Sequence, residues 1–159
     1  RCLMSAATLV EEVSYVEGIA PIDMNAAAQS GNYISMANAS GCDVIVQAGT
    51  VGASYAITLT QATDASGTSA KTLGFPYMWT NDASSGAAAL TKTAVSSDTF
   101  NVDTANSTYV VPIAADTLDV DNGFDYVRVN AADPGAAAVG ATLYVLHGKR
   151  HMGDTTPLS

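Results

Sequence analysis

The sequence predicts an all-β chain: an antiparallel β-sandwich, with a jelly roll among the arrangements it allows, preceded by an N-terminal arm. Three observations predict it. Short runs alternate apolar and polar residues over Cys42–Ala62 and Phe124–His147, the signature of half-buried strands. Turn residues punctuate those runs at Gly49-Thr50-Val51-Gly52, Asp121-Asn122-Gly123 and Asp133-Pro134-Gly135. The composition agrees, because much of the 48% hydrophobic content is alanine, while threonine and 7 tyrosines favour pleated surfaces. At 159 residues the chain fits one domain with an arm, and no covalent staple is needed to stabilise it.

Residues 1–20 read as the arm, 21–150 as the sandwich and 151–159 as a C-terminal tail. Arg1-Cys2-Leu3 precedes Met4, which leaves open whether Met4 initiates the chain. Leu9, Val13 and Val16 have helical spacing, yet Val10 to Val16 is equally compatible with an extended segment. Pro21 limits what precedes it, and Ala26-Ala27-Ala28 suggests a helical turn ended by Gly31.

The strands follow. Tyr33 to Ala37 is a short one, closed by an Asn38–Gly41 turn. Cys42, Val44, Val46 and Ala48 form one face of the next, and Tyr55, Ile57, Leu59 and Gln61 one face of its successor, which reads as an antiparallel hairpin. Thr63 to Ala70 is a polar loop, and Lys71 to Phe75 a short strand stopped by Pro76. Tyr77-Met78-Trp79 places three large residues in succession; two are expected in the core and one at its rim, the alternative being contact with another chain. Asn81 to Ala89 is a surface excursion. Thr91–Val95 and Thr99–Val102 are weak strands; Tyr109–Ile113 is a stronger one, with Pro112 pointing to an edge. Asp116 to Leu118 makes a helical turn, and Phe124–His147 closes the domain as a second antiparallel hairpin.

Charge narrows the partners. The net charge is −9, and no basic residue stands between Lys92 and Arg128, so phosphate backbones and anionic membranes would repel the chain. No apolar run has the length of a membrane span, and no secretory signal pattern opens the chain. Cys42 is expected as a small buried strand residue and Cys2 as incidental.

The chemical motifs fail on spacing. Counting from Asp119, a calcium loop needs Gly at its sixth position and Glu at its twelfth, where Phe124 and Asn130 stand. The phosphate-loop pattern at Lys71-Thr72 lacks the preceding glycine, which is Ala70. His147 and His151 flank Gly148 with no third ligand near. No Gly-x-Ser-x-Gly elbow occurs. The expectation is a non-enzyme with no catalytic residue, cofactor or metal.

Gln61-Ala62-Thr63-Asp64-Ala65-Ser66-Gly67 with Ala70-Lys71, the stretch from Leu118 to Arg128, and the strand ending near His147 to Arg150 together resemble segments of small virion proteins of tailed bacteriophages. The resemblance runs over about residues 20 to 150 and implies a capsid decoration, or cement, protein on the capsid exterior. Its implied partners are the major capsid protein and further copies of itself, with a trimer around local symmetry axes as the expected form. That family supplies no catalytic residues. Apolar contact is expected from Leu3, Leu9, Val13 and Val16 in the arm and from Tyr77, Met78 and Trp79, with Lys149 and Arg150 meeting shell carboxylates. Two other classes stand beside it: a phage tail or head–tail junction protein, and a carbohydrate-binding sandwich using Tyr77 and Trp79.

Overall fold

The computed structural model describes residues 13–82, 86 and 89–149. In chain order its strands are β1 (Val13–Glu17), β2 (Ile22–Asp23), β3 (Gln29–Ser30), β4 (Ile34–Ser35), β5 (Ala39–Val51), β6 (Tyr55–Ala62) and β7 (Lys71–Thr72). They continue with β8 (Tyr77–Asp82), β9 (Thr91–Ala94), β10 (Thr99–Val102), β11 (Ser107–Ala114), β12 (Tyr126–Ala131) and β13 (Ala138–Lys149). Alternation sets the inward faces. Tyr55, Ile57 and Leu59 of β6 are buried while Ala56, Thr58 and Thr60 between them are not, and β11 repeats the pattern with Tyr109, Val111 and Ile113.

All pairings are antiparallel and give two packed sheets. The larger runs β1-β13-β5-β11-β8-β9, with β2 continuing β1 along β13; the smaller runs β10-β6-β12-β3, with β4 beside β12 and β7 beside β6. Treating β1/β2, β3/β4 and β7/β10 as interrupted single strands leaves eight positions in chain order, with the β8–β9 hairpin inserted within the fifth. The larger sheet then reads first, eighth, third, sixth, and the smaller second, seventh, fourth, fifth. That order is the jelly roll. The inserted hairpin widens the larger sheet beyond β11.

Neither expected hairpin is one. β5 and β6 lie in different sheets, as do β12 and β13. The turns at 52–54 and 132–137 are arches that carry the chain across the core, and they brace each other where Gly52 N donates to Ala137 O at 2.8 Å. Alternation fixes which residues face the core. It is silent on whether successive strands pair edge to edge or stack face to face.

The arm boundary also moves. Val13–Glu17 is the edge strand β1, paired from Val13↔His147 to Glu17↔Leu143, and Ile19 behind it is buried and donates its N–H to Thr142 Oγ1 at 2.7 Å. The sandwich therefore includes residues 13–20, ahead of the expected boundary at 21, while residues 1–12 and the 151–159 tail lie outside the described residues. Pro112 sits in an interior strand and not at an edge; its missing N–H is tolerated because β8 pairs with β11 only up to Val110. The helical turn expected over Ala26–Ala28 comes two residues earlier, at Met24–Ala26, where the Asp23 side chain caps it. Cys42 is fully buried, and burial, then the Asp43 charge, pushes its thiol up to about 12. Cys2 lies outside the described residues.

Candidate protein-binding face

A sandwich strand normally turns its polar residues outward. The smaller sheet obeys. Its outer face carries Thr58, Thr60, Arg128, Asn130, Ser30 and Asn101, with Ala56 and Tyr126 at the same strand parity. Several of these groups bond one another: Ser30 Oγ donates to Asn130 Oδ1 at 3.0 Å and Asn130 Nδ2 donates to Thr60 Oγ1 at 3.3 Å, while the Arg128 guanidinium lies 4.5 Å from the Tyr33 ring centre with its Nε buried and without a hydrogen-bond partner.

The larger sheet does the reverse. Register places Glu17, Leu143, Ile45, Val110, Trp79 and Lys92 side by side in one row across all six strands. Residues in register on neighbouring strands project from the same face. The inward face is taken by Val44, Val46, Tyr109, Val111, Tyr144 and Leu146, all buried, so this row points outward. The adjacent outward row holds Tyr15, Val145, Asp43 and Pro112, with Tyr77 on β8 at its far end. Tyr15 is 47% exposed. The outward row on the other side of the stripe is polar, with Gln47, Thr108 and Asn81 in register, so the apolar side chains form a band rimmed by polar groups, a candidate interaction surface.

Two hollows indent the face. The larger, about 460 Å³, lies between the ends of β5, β11 and β8 and is lined by Asp43, His147, Phe75, Pro76, Tyr77 and Pro112. Within it His147 Nε2 stands 3.7 Å from Asp43 Oδ2. The smaller, about 220 Å³, is bounded by Glu17, Ile19, Pro21, Ile45, Gln47 and Leu143.

No protein-family model, curated protein or solved structure matches this chain.

The trio Tyr77-Met78-Trp79 divides by strand parity. Met78 packs inward against the core, and Tyr77 and Trp79 point outward, so one residue enters the core where two were expected. The Tyr77 and Trp79 rings meet edge to face at 6.4 Å, with interplanar angle 87°. The Lys92 ammonium lies 3.7 Å from the Tyr77 ring centre, a cation–π contact that desolvates one ring face. The same ammonium lies 5.7 Å from the Trp79 ring centre.

Of the arm residues, Val13 pairs with His147 on the edge, Val16 is partly buried against the core, and Leu3 and Leu9 lie outside the described residues. Lys149 continues β13 by pairing with Ala39, and Arg150 lies outside the described residues. The face thus unites Val13, Tyr77 and Trp79 with residues that sequence reasoning missed, namely Tyr15, Ile45, Val110 and Leu143. A signal for them existed. Tyr109 to Ile113 and Leu143 to Leu146 are unbroken apolar runs, and a strand apolar at both parities has both faces covered.

The two internal segments that carry the phage resemblance meet on the opposite flank. Gln61 Oε1 accepts from Asp119 N at 2.9 Å, and Lys71 donates to the Asp119 carboxylate while lying 3.9 Å from the Phe124 ring centre. Asp119 of the failed calcium pattern is thereby engaged, and Gly123, at φ +81°, closes its turn in the left-handed region that glycine adopts freely. Among the described residues, no group of three or more His, Cys, Asp or Glu is placed to hold a metal.

Proposed function

We propose that this chain is a structural virion protein of a tailed bacteriophage, one that binds the outer surface of the head and reinforces it through protein–protein contacts. The observation that carries the reading is the apolar stripe on the outer face of the larger sheet, set against the mainly polar outer face of the smaller one. Such an asymmetry serves a protein that rests on other proteins. The setting on a phage head comes from the segments around Asp64 and Asp119 that resemble decoration proteins. A net charge of −9 keeps the exposed side off nucleic acid and membranes. The jelly roll is compatible, since capsid and lectin domains use it, but a fold alone does not fix a function.

Reinforcement follows from repetition. Each buried Å² of apolar surface contributes about 25 cal/mol, much of it offset by the entropy of association. Copies arrayed on one lattice bind with high effective concentration, so modest single contacts suffice. The mechanism calls for neither a catalytic residue nor a cofactor.

Heads stripped of this protein and mixed with purified chain test the reading by co-sedimentation. Wild type should pellet with heads, and the Val110→Asp, Leu143→Asp double variant should lose at least about tenfold in affinity, a 1.4 kcal/mol effect. Both sites are outward-facing, and circular dichroism establishes that the variant is folded. Equal binding of the folded variant, or recovery of the native protein only from tails, defeats the proposal.

A further inference from the structure

We propose that the outer face of the larger sheet is covered by a second copy of this chain, related by a two-fold axis running parallel to the strands between β5 and β11. The inference rests on the reading of this face as a protein-binding surface and names its partner in the free chain, which the head replaces on decoration.

The row Glu17, Leu143, Ile45, Val110, Trp79, Lys92 begins with an anion, ends with a cation and is apolar between. A two-fold axis along its midline reverses the row on the facing copy. Glu17 then stands over the second copy's Lys92 at one end and Lys92 over its Glu17 at the other, while Ile45 faces Val110. An isologous contact must be self-complementary in this way, residue i meeting j and j meeting i. The row is about 24 Å long at the usual strand spacing, and facing sheets pack about 10 Å apart with strands roughly aligned. Those dimensions bring the terminal charges within reach.

The hollows supply an independent argument from shape. The same axis sets the Trp79 indole of one copy over Leu143 of the other. Leu143 borders the 220 Å³ hollow, whose other walls include Ile45, Pro21 and Glu17. An aromatic side chain on one half of the face thus meets an apolar depression on the other half, twice in the dimer. Large aromatics in desolvated pockets are where binding energy concentrates. Asp43, the carboxylate nearest the centre, keeps His147 of its own chain at 3.7 Å. The symmetry is two-fold, in contrast to the trimer that the phage resemblance implies.

Sedimentation equilibrium of the full chain, without heads, tests this. Wild type should be a dimer, and Trp79→Ala should weaken it by about thirtyfold. Glu17→Lys and Lys92→Glu should each weaken it by about tenfold through like-charge contact, and the two together should restore it. Both charged residues are exposed, so the exchange leaves the fold intact. A monomeric wild type at concentrations that decorate heads, a trimer, or a double exchange no tighter than the single variants would each overturn the dimer. The proposed function is judged separately by heads: a monomeric chain whose Val110→Asp, Leu143→Asp variant fails to decorate keeps that function and loses the dimer.

Discussion

At the residue scale, Asp64 shows how a polar loop acquires a fixed shape. Its Oδ1 accepts from Ser66 N at 2.8 Å and Thr68 N at 3.0 Å, and its Oδ2 accepts from the Thr68 hydroxyl at 2.6 Å. Those bonds favour the carboxylate, and the Thr68 hydroxyl foremost holds the Asp64 pKa below the usual carboxyl range. A group with a depressed folded pKa stabilises the fold above its unfolded value, and that contribution is lost as pH falls through the folded value. Asp64→Asn should therefore lower the urea midpoint at neutral pH. The difference from wild type should shrink below the ordinary aspartate range and vanish in stronger acid. A difference that stays constant with pH would mean that the loop is held by its backbone alone. The segment around Asp64 was legible as a loop from its residue types. Its carboxylate-centred bonding was not, because which amides converge on an aspartate depends on backbone angles that composition leaves open.

At the element scale, the inward faces of β5, β6, β11 and β12 were legible from alternation, and the turns at Gly67, Gly123 and Pro134-Gly135 from their residues, whereas those at 96–98 and 104–106 carry no glycine or proline. The pairings were not. β5 finds its neighbours in β11 and β13, far along the chain, because a jelly roll pairs strands between its two halves. The outer face was half legible: Tyr77 and Trp79 stood out by size, whereas Ile45, Val110 and Leu143 passed as core residues because apolar runs were read for a single parity. The edge strand β1 is the sharpest case. Val13 and Val16 belonged to a segment read as an arm, yet β1 covers the β13 edge, and Ile19 is buried behind it with its N–H bonded to Thr142. Deleting residues 1–12 should leave every described contact in place, whereas deleting 1–20 strips β13 of its edge partner β1, leaving β2 and β5, and exposes the site of Ile19. Fully burying one such aliphatic side chain contributes about 1.5–3 kcal/mol, before the lost strand pairing is counted. Thermal unfolding of the two truncations should separate them by several degrees. Equal midpoints would show that β1 adds nothing to the sandwich.

At the scale of the whole molecule, two sheets with opposite outer faces must stay fixed relative to each other for the apolar face to remain aligned. Packed side chains supply most of that, including Phe100 stacked on Tyr109 at 5.4 Å between ring centres. Tyr144 adds a directional tie. It belongs to β13 in the larger sheet, is fully buried, and its hydroxyl accepts from Val129 N of the smaller sheet at 2.8 Å while donating to Asn32 O at 3.1 Å. Burial holds the phenol neutral by raising its pKa well above the ordinary tyrosine value, so the hydroxyl keeps its proton for Asn32. Gly31 fits beside it because a Cβ there would fall 2.9 Å from the hydroxyl oxygen. Tyr144→Phe preserves the ring and removes only the oxygen, leaving the amide of Val129 unpaired in the core. An orphaned buried donor costs about 1–3 kcal/mol, more than a net hydrogen bond contributes, because desolvation is no longer compensated. Urea unfolding followed by circular dichroism should show an unfolding free energy lowered by that amount, read as a lower midpoint at unchanged slope, with both sheets melting together. A variant as stable as wild type would mean that Val129 finds another acceptor, and that side-chain packing alone keeps the sheets in place.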